Sequence, residues 1–372
     1  MTAPVALFRA DASREMGTGH VMRCLTLADA LARRGWQCGF VCREQEGDMA
    51  DWVRARGYDL WLLQAAEARA HSISPDDGPP HAAWLGVPWQ QDAEETHAVV
   101  AEVSPHWLVV DHYGLDVRWE RPLVPEAGRL MVIDDLADRD HHCNLLLDQN
   151  PGRMPASYAG RVPGDCVCLT GTRYALLRDE FRQWRDRRPP ESRTGRIRRI
   201  LVTLGGADPD NVTGQVLSAL SHCELAPGTL VDVVMGHSSP HLPAVREQVR
   251  ELPFQTTVTV RATNMAERMV LADLAIGAAG ATTWERCCLG LPSLVVAIAA
   301  NQRTFLKNIA EQGLSAVADL SDLNAAVRAF VGRMQAEPDQ YSAMVDHASA
   351  AVDALGASRV ADHMLTGQEV GA

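Results

Sequence analysis

The sequence predicts an α/β protein made of two Rossmann-like domains facing a cleft. Three observations carry that expectation. Apolar runs alternate with helical patterns along the whole chain, which is how parallel strands with crossover helices read. Several runs are apolar throughout and end in aspartate, as in Trp107-Leu108-Val109-Val110-Asp111 and Leu130-Met131-Val132-Ile133-Asp134-Asp135. Parallel strands are buried on both faces, and their carboxyl ends meet the ligand. Finally, a glycine turn follows the first strand of each half, Gly17-Thr18-Gly19-His20 in one and Gly205-Gly206 in the other.

In order, residues 4–9 read as the first strand and 19–34 as the first helix, with Val21, Leu25, Ala28, Leu31 and Ala32 at helical spacing and a stop near Gly35. A strand at 37–42, a short helix at 49–56 closed by Gly57 and a strand at 60–63 follow. Residues 65–86 are polar and proline-bearing, a surface loop. Next come a helix at 90–103 and strands at 107–111, 130–135 and 145–148. Between 176 and 197 an arginine-rich helix runs into Pro189-Pro190, which reads as an interdomain linker. Alternation then resumes, with strands at 199–204, 230–234, 257–260, 274–276 and 294–296 and a helix at 211–220. The expected domains are therefore residues 1–175 and 198–340, joined by 176–197, with a helical tail at 341–372 packing back on the first domain.

Composition narrows the function classes. A length of 372 residues allows two cores, and 47% hydrophobic with 22% charged residues is ordinary globular content. The net charge of -12 argues against nucleic acid and anionic membranes as partners. Lys307 is the only lysine, so a P-loop and an N-terminal Schiff-base lysine are both excluded. The nine cysteines include no CxxC pair, which fits a reduced compartment better than a zinc site. Arg9 and Asp11 stand where a signal peptide needs an apolar core, and no run reaches membrane length. These features imply a cytoplasmic protein.

The chemistry-bearing residues fall at strand ends. His20 lies in the first glycine turn, where an imidazole can take a proton near neutral pH; its alternative reading is a helix-start histidine that bonds locally. Arg9 and Asp11 end the same strand and are expected either to reach the same cleft or to form a surface ion pair worth ~0–1 kcal/mol. The second cluster is Gly277-Ala278-Ala279-Gly280-Ala281-Thr282-Thr283-Trp284-Glu285. Its small residues leave helix-start amides open to a phosphate, and Glu285 could accept two sugar hydroxyls. Close helix–sheet packing is the alternative there. Asn301 and Gln302 follow a strand and suit sugar hydroxyls or acetamido groups. His141-His142-Cys143 has metal-ligating types, but adjacent histidines in a strand point to opposite faces, so no metal site is expected.

Phe8-Arg9-Ala10-Asp11-Ala12-Ser13, Gly17-Thr18-Gly19-His20 and Arg23 resemble the start of the UDP-2,4-diacetamido-2,4,6-trideoxy-β-L-altropyranose hydrolases of pseudaminic acid biosynthesis. The likeness continues through Val110-Asp111-His112-Tyr113-Gly114, Asp134-Asp135, His141-His142-Cys143, Asp148-Gln149-Asn150, Tyr174-Ala175-Leu176-Leu177-Arg178 and Glu180-Phe181. It extends to Gly205-Gly206-Ala207-Asp208, Thr282-Thr283-Trp284-Glu285 and Asn301-Gln302. This resemblance implies the GT-B architecture of MurG-like glycosyltransferases, with the nucleotide on the C-terminal domain. It implies that His20 activates the attacking water, that Glu285 holds the ribose, and that Gly280, Ala281, Thr282 and Thr283 meet the diphosphate. Asn301 and Gln302 would face the sugar or its phosphate. Asp11, Arg23, Asp111 and Tyr113 match positions near the sugar, and Arg9, Gly19, Gly205 and Gly206 are expected among the substrate-binding residues. Ala281 departs from the serine expected there. The implied reaction is inverting hydrolysis of a UDP-sugar with no cofactor and no metal. A GT-B glycosyltransferase and a non-catalytic nucleotide-sugar binder are the rival readings.

Overall fold

The computed structural model describes residues 3–65, 78–237, 239–298 and 302–366. Two compact units divide the chain: Met1–Leu176 with Gly356–Ala372, and Leu177–Leu355. Among the described residues, no helix is long and apolar enough to cross a membrane.

In unit 1 the strands are β1 (Val5–Ala10), β2 (Gln37–Arg43), β3 (Asp59–Leu63), β4 (Trp107–Asp111), β5 (Arg129–Ile133), β6 (Leu145–Asp148) and β7 (Val167–Thr170). They form one parallel sheet in the order β3-β2-β1-β4-β5-β6-β7. The helices of its N-terminal part are α1 (Gly19–Ala32), α2 (Ala50–Ala55), α3 (Trp89–Val103) and α4 (Val117–Glu120). Successive strand residues point to opposite faces. Ala6, Phe8, Val109 and Met131 therefore pack with the buried side of α1, while Leu7, Leu108, Val110 and Leu130 pack with Val99, Val100 and Trp119 of α3 and α4. Both faces are covered, which is why the strands read as apolar throughout; each fully buried Leu or Phe contributes ~1.5–3 kcal/mol. The chain runs outward from β1 to β3 and returns to β4 on the other side of β1. That reversal makes the β1/β4 boundary the switch point, where the carboxyl ends diverge.

Unit 2 repeats the design. Strands β8 (Arg199–Thr203), β9 (Leu230–Met235), β10 (Gln255–Val260), β11 (Leu274–Ala278), β12 (Ser293–Ala297) and β13 (Ala316–Asp319) lie parallel in the order β10-β9-β8-β11-β12-β13. Its switch point is the β8/β11 boundary. The helices are α5 (Asp179–Arg187), α6 (Val212–Leu220), α7 (Leu242–Gln248), α8 (Met265–Leu271), α9 (Ala281–Cys288), α10 (Arg303–Glu311), α11 (Leu323–Ala336) and α12 (Pro338–Ala351). The last helix, α13 (Gly356–Thr366), belongs to unit 1.

The sequence-based expectation differs from the structure in three places. The segment 176–197 is not a free linker: Arg185 donates to the carbonyls of Cys288 (2.5 Å) and Val352 (3.0 Å), and Arg188 to that of Val270 (2.7 Å), tying α5 into unit 2. The tail 341–372 is not one segment, because α12 stays in unit 2 while α13 packs on α1, where Arg34 pairs with Asp362 at 2.7 Å and Trp107 Nε1 donates to the Met364 carbonyl at 3.1 Å. Gly356 makes that docking possible, since a Cβ there would lie 2.2 Å from the Ala175 carbonyl oxygen. Residues His141 to Cys143 precede β6 in irregular chain rather than lying in a strand. Of the loop at 65–86, residues 66–77 lie outside the described residues; 78–86 include a short 3-10 turn, Ala82–Leu85.

Candidate functional site

At the switch point of unit 1, strand parity sorts the charged residues. Asp111 ends β4 on the face of Val109, toward α1, and Tyr113 follows two residues later. Asp111 Oδ1 lies 2.6 Å from Nδ1 of His20, in the first turn of α1. Arg23, one turn further, grips the same carboxylate with Nε to Oδ2 at 2.6 Å and Nη2 to Oδ1 at 2.7 Å. Its Nη1 reaches Asp135 at 2.6 Å, and the Tyr113 hydroxyl donates to that same Asp135 oxygen at 2.5 Å. The Tyr113 ring stands edge-on to His20, with centroids 4.5 Å apart. Burial alone would push Asp111 up, but Arg23 and His20 outweigh it and hold the carboxyl well below the usual range. An ionised Asp111 accepts from Nδ1–H, so Nε2 is the basic nitrogen of His20; it takes no partner among the described residues. A histidine oriented in this way by a carboxylate is the arrangement of a general base.

Two other histidines of unit 1 are not equivalent. His112 has opposite parity: Nδ1 accepts from the Gly114 amide at 2.9 Å, and Nε2 is buried without a hydrogen bond, 3.6 Å from Asp11. Burial pushes its imidazole down to about 4. His141 is held at Nδ1 by Glu120 at 2.6 Å, and its Nε2 is likewise buried without a hydrogen bond.

Arg9 and Asp11 require a correction. They share the parity of Leu7 and so lie on the face toward α3, away from the face that carries Asp111. Arg9 bonds Asp11 at 2.5 Å and Asp92 of α3 at 2.6 Å, and Asp92 also meets Arg43 at 2.7 Å and Trp119 Nε1 at 2.9 Å. All five side chains are fully buried. They form neither a surface ion pair nor an exposed binding group, and they clamp β1, β2 and α3 together.

Sequence reasoning did not single out His81 or Trp84, and it read Asp135 as a strand-end aspartate without assigning it to the site. His81 and Trp84 meet at a tilt with centroids 4.3 Å apart and lie 5.7 and 6.0 Å from Tyr113, forming an aromatic wall beside His20; Trp84 Nε1 donates to Glu15 at 3.0 Å. They come from a segment with no motif, so only contact reveals them. Asp135 did carry a signal, the second aspartate at the end of an apolar strand.

In unit 2 the two glycine turns differ. After Gly205, with φ 92°, and Gly206, both exposed, the start of α6 is already occupied: Asp208 accepts from the amides of Val212 (2.8 Å) and Thr213 (3.0 Å), and Asn211 from that of Gly214 (3.2 Å). By contrast, α9 starts at Gly280 with φ 131° and ψ -162°, a conformation essentially reserved for glycine, and no side chain caps it. Of the two turns, the one that leaves amides open to an anion is that of α9, at Ala281 and Thr282, the Thr283 amide being bonded to the Gly280 carbonyl at 2.9 Å. Ala281 is exposed, Thr282 half-buried and Thr283 buried. Glu285 pairs with Arg178 at 3.2 Å, and burial pushes its carboxyl up against the pull of that arginine. Gln302 precedes α10 and accepts from the Ile298 amide at 3.2 Å. Asn301 lies outside the described residues. Gly19, exposed at the start of α1, completes the set read from sequence. No group of three or more His, Cys, Asp or Glu side chains among the described residues is arranged to hold a metal.

Comparison with known proteins agrees with this architecture. Residues 199–362 match the family model of the glycosyltransferase family 28 C-terminal domain. The chain is 25% identical over 309 residues to a UDP-2,4-diacetamido-2,4,6-trideoxy-beta-L-altropyranose hydrolase of Campylobacter jejuni, covering 82% of this chain and 96% of that one. It is 32% identical over 162 residues to the spore coat polysaccharide biosynthesis protein SpsG of Bacillus subtilis, covering 44% of this chain and about half (47%) of that protein. The crystal structure of MurG from Acinetobacter baumannii superposes with a TM-score of 0.69 at 14% identity, covering 98% of this chain and 100% of that one. The fold is GT-B, and the motif resemblance to the altropyranose hydrolases extends over most of the chain.

Proposed function

We propose that this chain hydrolyses a UDP-linked sugar at its anomeric carbon, with UDP-2,4-diacetamido-2,4,6-trideoxy-β-L-altropyranose as the substrate. The observation that carries the reading is the 2.6 Å contact between Asp111 and Nδ1 of His20, which fixes the imidazole with a basic Nε2. In this mechanism Nε2 takes a proton from water, the oxygen attacks C1, and the C1–O bond to the diphosphate breaks. Attack opposite the leaving group inverts the anomeric centre. Asp111 stabilises the imidazolium, while Arg23 keeps the carboxylate ionised and oriented. The leaving UDP is held by the uncapped amides of α9, which are preorganised for negative charge. Tyr113, His81 and Trp84 offer the sugar a partly apolar wall. The Campylobacter jejuni relative's name supports the sugar and the reaction.

A second reading, transfer of the sugar to an acceptor hydroxyl, is favoured by the match to the glycosyltransferase family 28 C-terminal domain. One experiment separates the two. The protein is incubated with the UDP-sugar and no acceptor, and UDP release and the anomer formed are followed by NMR. Release with inversion, falling roughly 10²–10⁴-fold in His20→Asn while UDP affinity is kept, is the expected result. Turnover that appears only when an acceptor is added would replace hydrolysis by transfer.

A further inference from the structure

Arg286 is fully buried one turn inside α9. Its Nη1 donates to the Thr282 hydroxyl at 3.3 Å, and its Nη2 to the Thr283 hydroxyl and the Ala278 carbonyl, each at 3.1 Å. Nε has no partner, and among the described residues no carboxylate pairs with the guanidinium. The neighbouring Glu285 is engaged by Arg178. In unit 1 the buried arginines Arg9, Arg23, Arg43 and Arg139 all meet carboxylates. Glu285 acts on Arg286 only at a distance, and a buried cation with no carboxylate in contact is costly, so its presence favours an anion that arrives from outside.

The setting specifies where that anion would bind. Arg286 runs under the turn that joins β11 to α9: a Cβ on Gly277 would lie 2.5 Å from Nη1. That turn ends at Gly280, where the helix amides are uncapped. Burial pushes the guanidinium down to about 10, so it remains charged at neutral pH. The half-buried Thr282 hydroxyl accepts from Nη1 and therefore keeps its own proton for a ligand on the outer side. Amides, hydroxyl and buried charge thus all belong to the one turn from Gly277 to Thr283 and the helix start that follows it.

We propose that Arg286 is the counter-charge for the phosphates of the bound nucleotide, a positioning residue that acts through the 277–283 turn without touching the ligand. The proposal rests on reading unit 2 as the nucleotide-binding unit. A charge in the low-dielectric interior is poorly screened, so it attracts a diphosphate more strongly than a surface lysine would. It discriminates by charge, and a neutral nucleoside gains nothing from it.

The test compares UDP with uridine by calorimetry on the full chain, using wild type, Arg286→Lys and Arg286→Gln. Both variants keep a donor toward the threonines, and only lysine keeps the charge. The expected result is that Arg286→Gln loses roughly tenfold or more in UDP affinity relative to Arg286→Lys, with uridine affinity equal in the two. Equal UDP affinity in the two variants, or a parallel loss for UDP and uridine, overturns the proposal, because a merely structural arginine predicts that pattern. Wild type that binds uridine as tightly as UDP overturns it too, leaving the nucleotide reading of unit 2 in place. Wild type that binds neither ligand removes both.

Discussion

The carboxyl edges of the two sheets share a topology and differ in chemistry. Each has a switch point beside its first strand, followed by a glycine turn and a helix. In unit 1 that edge is filled with charged side chains paired with one another, Asp111 with His20 and Arg23, Asp135 with Arg23 and Tyr113, and Asp92 with Arg9 and Arg43. In unit 2 the edge is backbone and small side chains, with uncapped amides beside a buried arginine that meets hydroxyls and a carbonyl but no carboxylate. The difference teaches that the fold supplies a location and the side chains assign its use. Internal pairing in unit 1 holds one imidazole in one orientation. In unit 2 the corresponding positive elements meet no carboxylate, which is the arrangement the proposed nucleotide site uses.

The sharpest way to break this comparison is to disturb the internal pairing. Asp92→Asn removes a counter-charge that two fully buried arginines share, leaving Arg9 with Asp11 and Arg43 with Glu95, and should destabilise the protein by about 3 kcal/mol in urea unfolding followed by tryptophan fluorescence. The matching change in unit 2, Asp208→Ala, removes two acceptor contacts at the start of α6, where the Asn211 cap remains, at a position of positive φ (42°), and should cost about 0.5–2 kcal/mol. Equal losses would mean that the two edges are built alike.

A smaller effect is expected from Asp111→Asn, which keeps the shape but removes the charge that stabilises an imidazolium. Turnover of the UDP-sugar should fall roughly 10²-fold with UDP affinity unchanged, measured by UDP release and by calorimetry. A drop in UDP affinity of similar size would erase the division of labour.

The gentlest probe is acid. Burial raises the Asp92 carboxyl, but Arg9 and Arg43 outweigh it and bring it down to about 2. A folded-state value below the unfolded one of about 3.9 means its contribution is complete above about pH 4 and is lost as pH falls through about 2. Wild type should therefore lose stability between pH 4 and 2 (about two units, set by those two values), and Asp92→Asn should lose less over that range. Identical acid slopes for the two proteins would remove Asp92 from the account.

Much of this was determined by the sequence itself. The order of strands and helices was legible because burial on both faces writes a local apolar pattern, and the edges that matter were legible because Asp111, Asp135 and the glycine turns stand at strand ends. Strands β7 and β13 were not, since unlike the equally short but fully buried Leu145-Leu146-Leu147-Asp148 they are half-exposed edge strands with no continuous apolar run. What only the tertiary structure decided is which charges meet. His20 and Asp111 are 91 positions apart and touch because β1 lies beside β4, whereas Arg9 and Asp11, as close to the glycine turn in sequence, face α3. Likewise nothing local says that Arg286 lacks a carboxylate while Arg23 has two. Periodicity is a property of neighbours along the chain, but pairing depends on strand order and side-chain parity, which exist only once the sheet has formed.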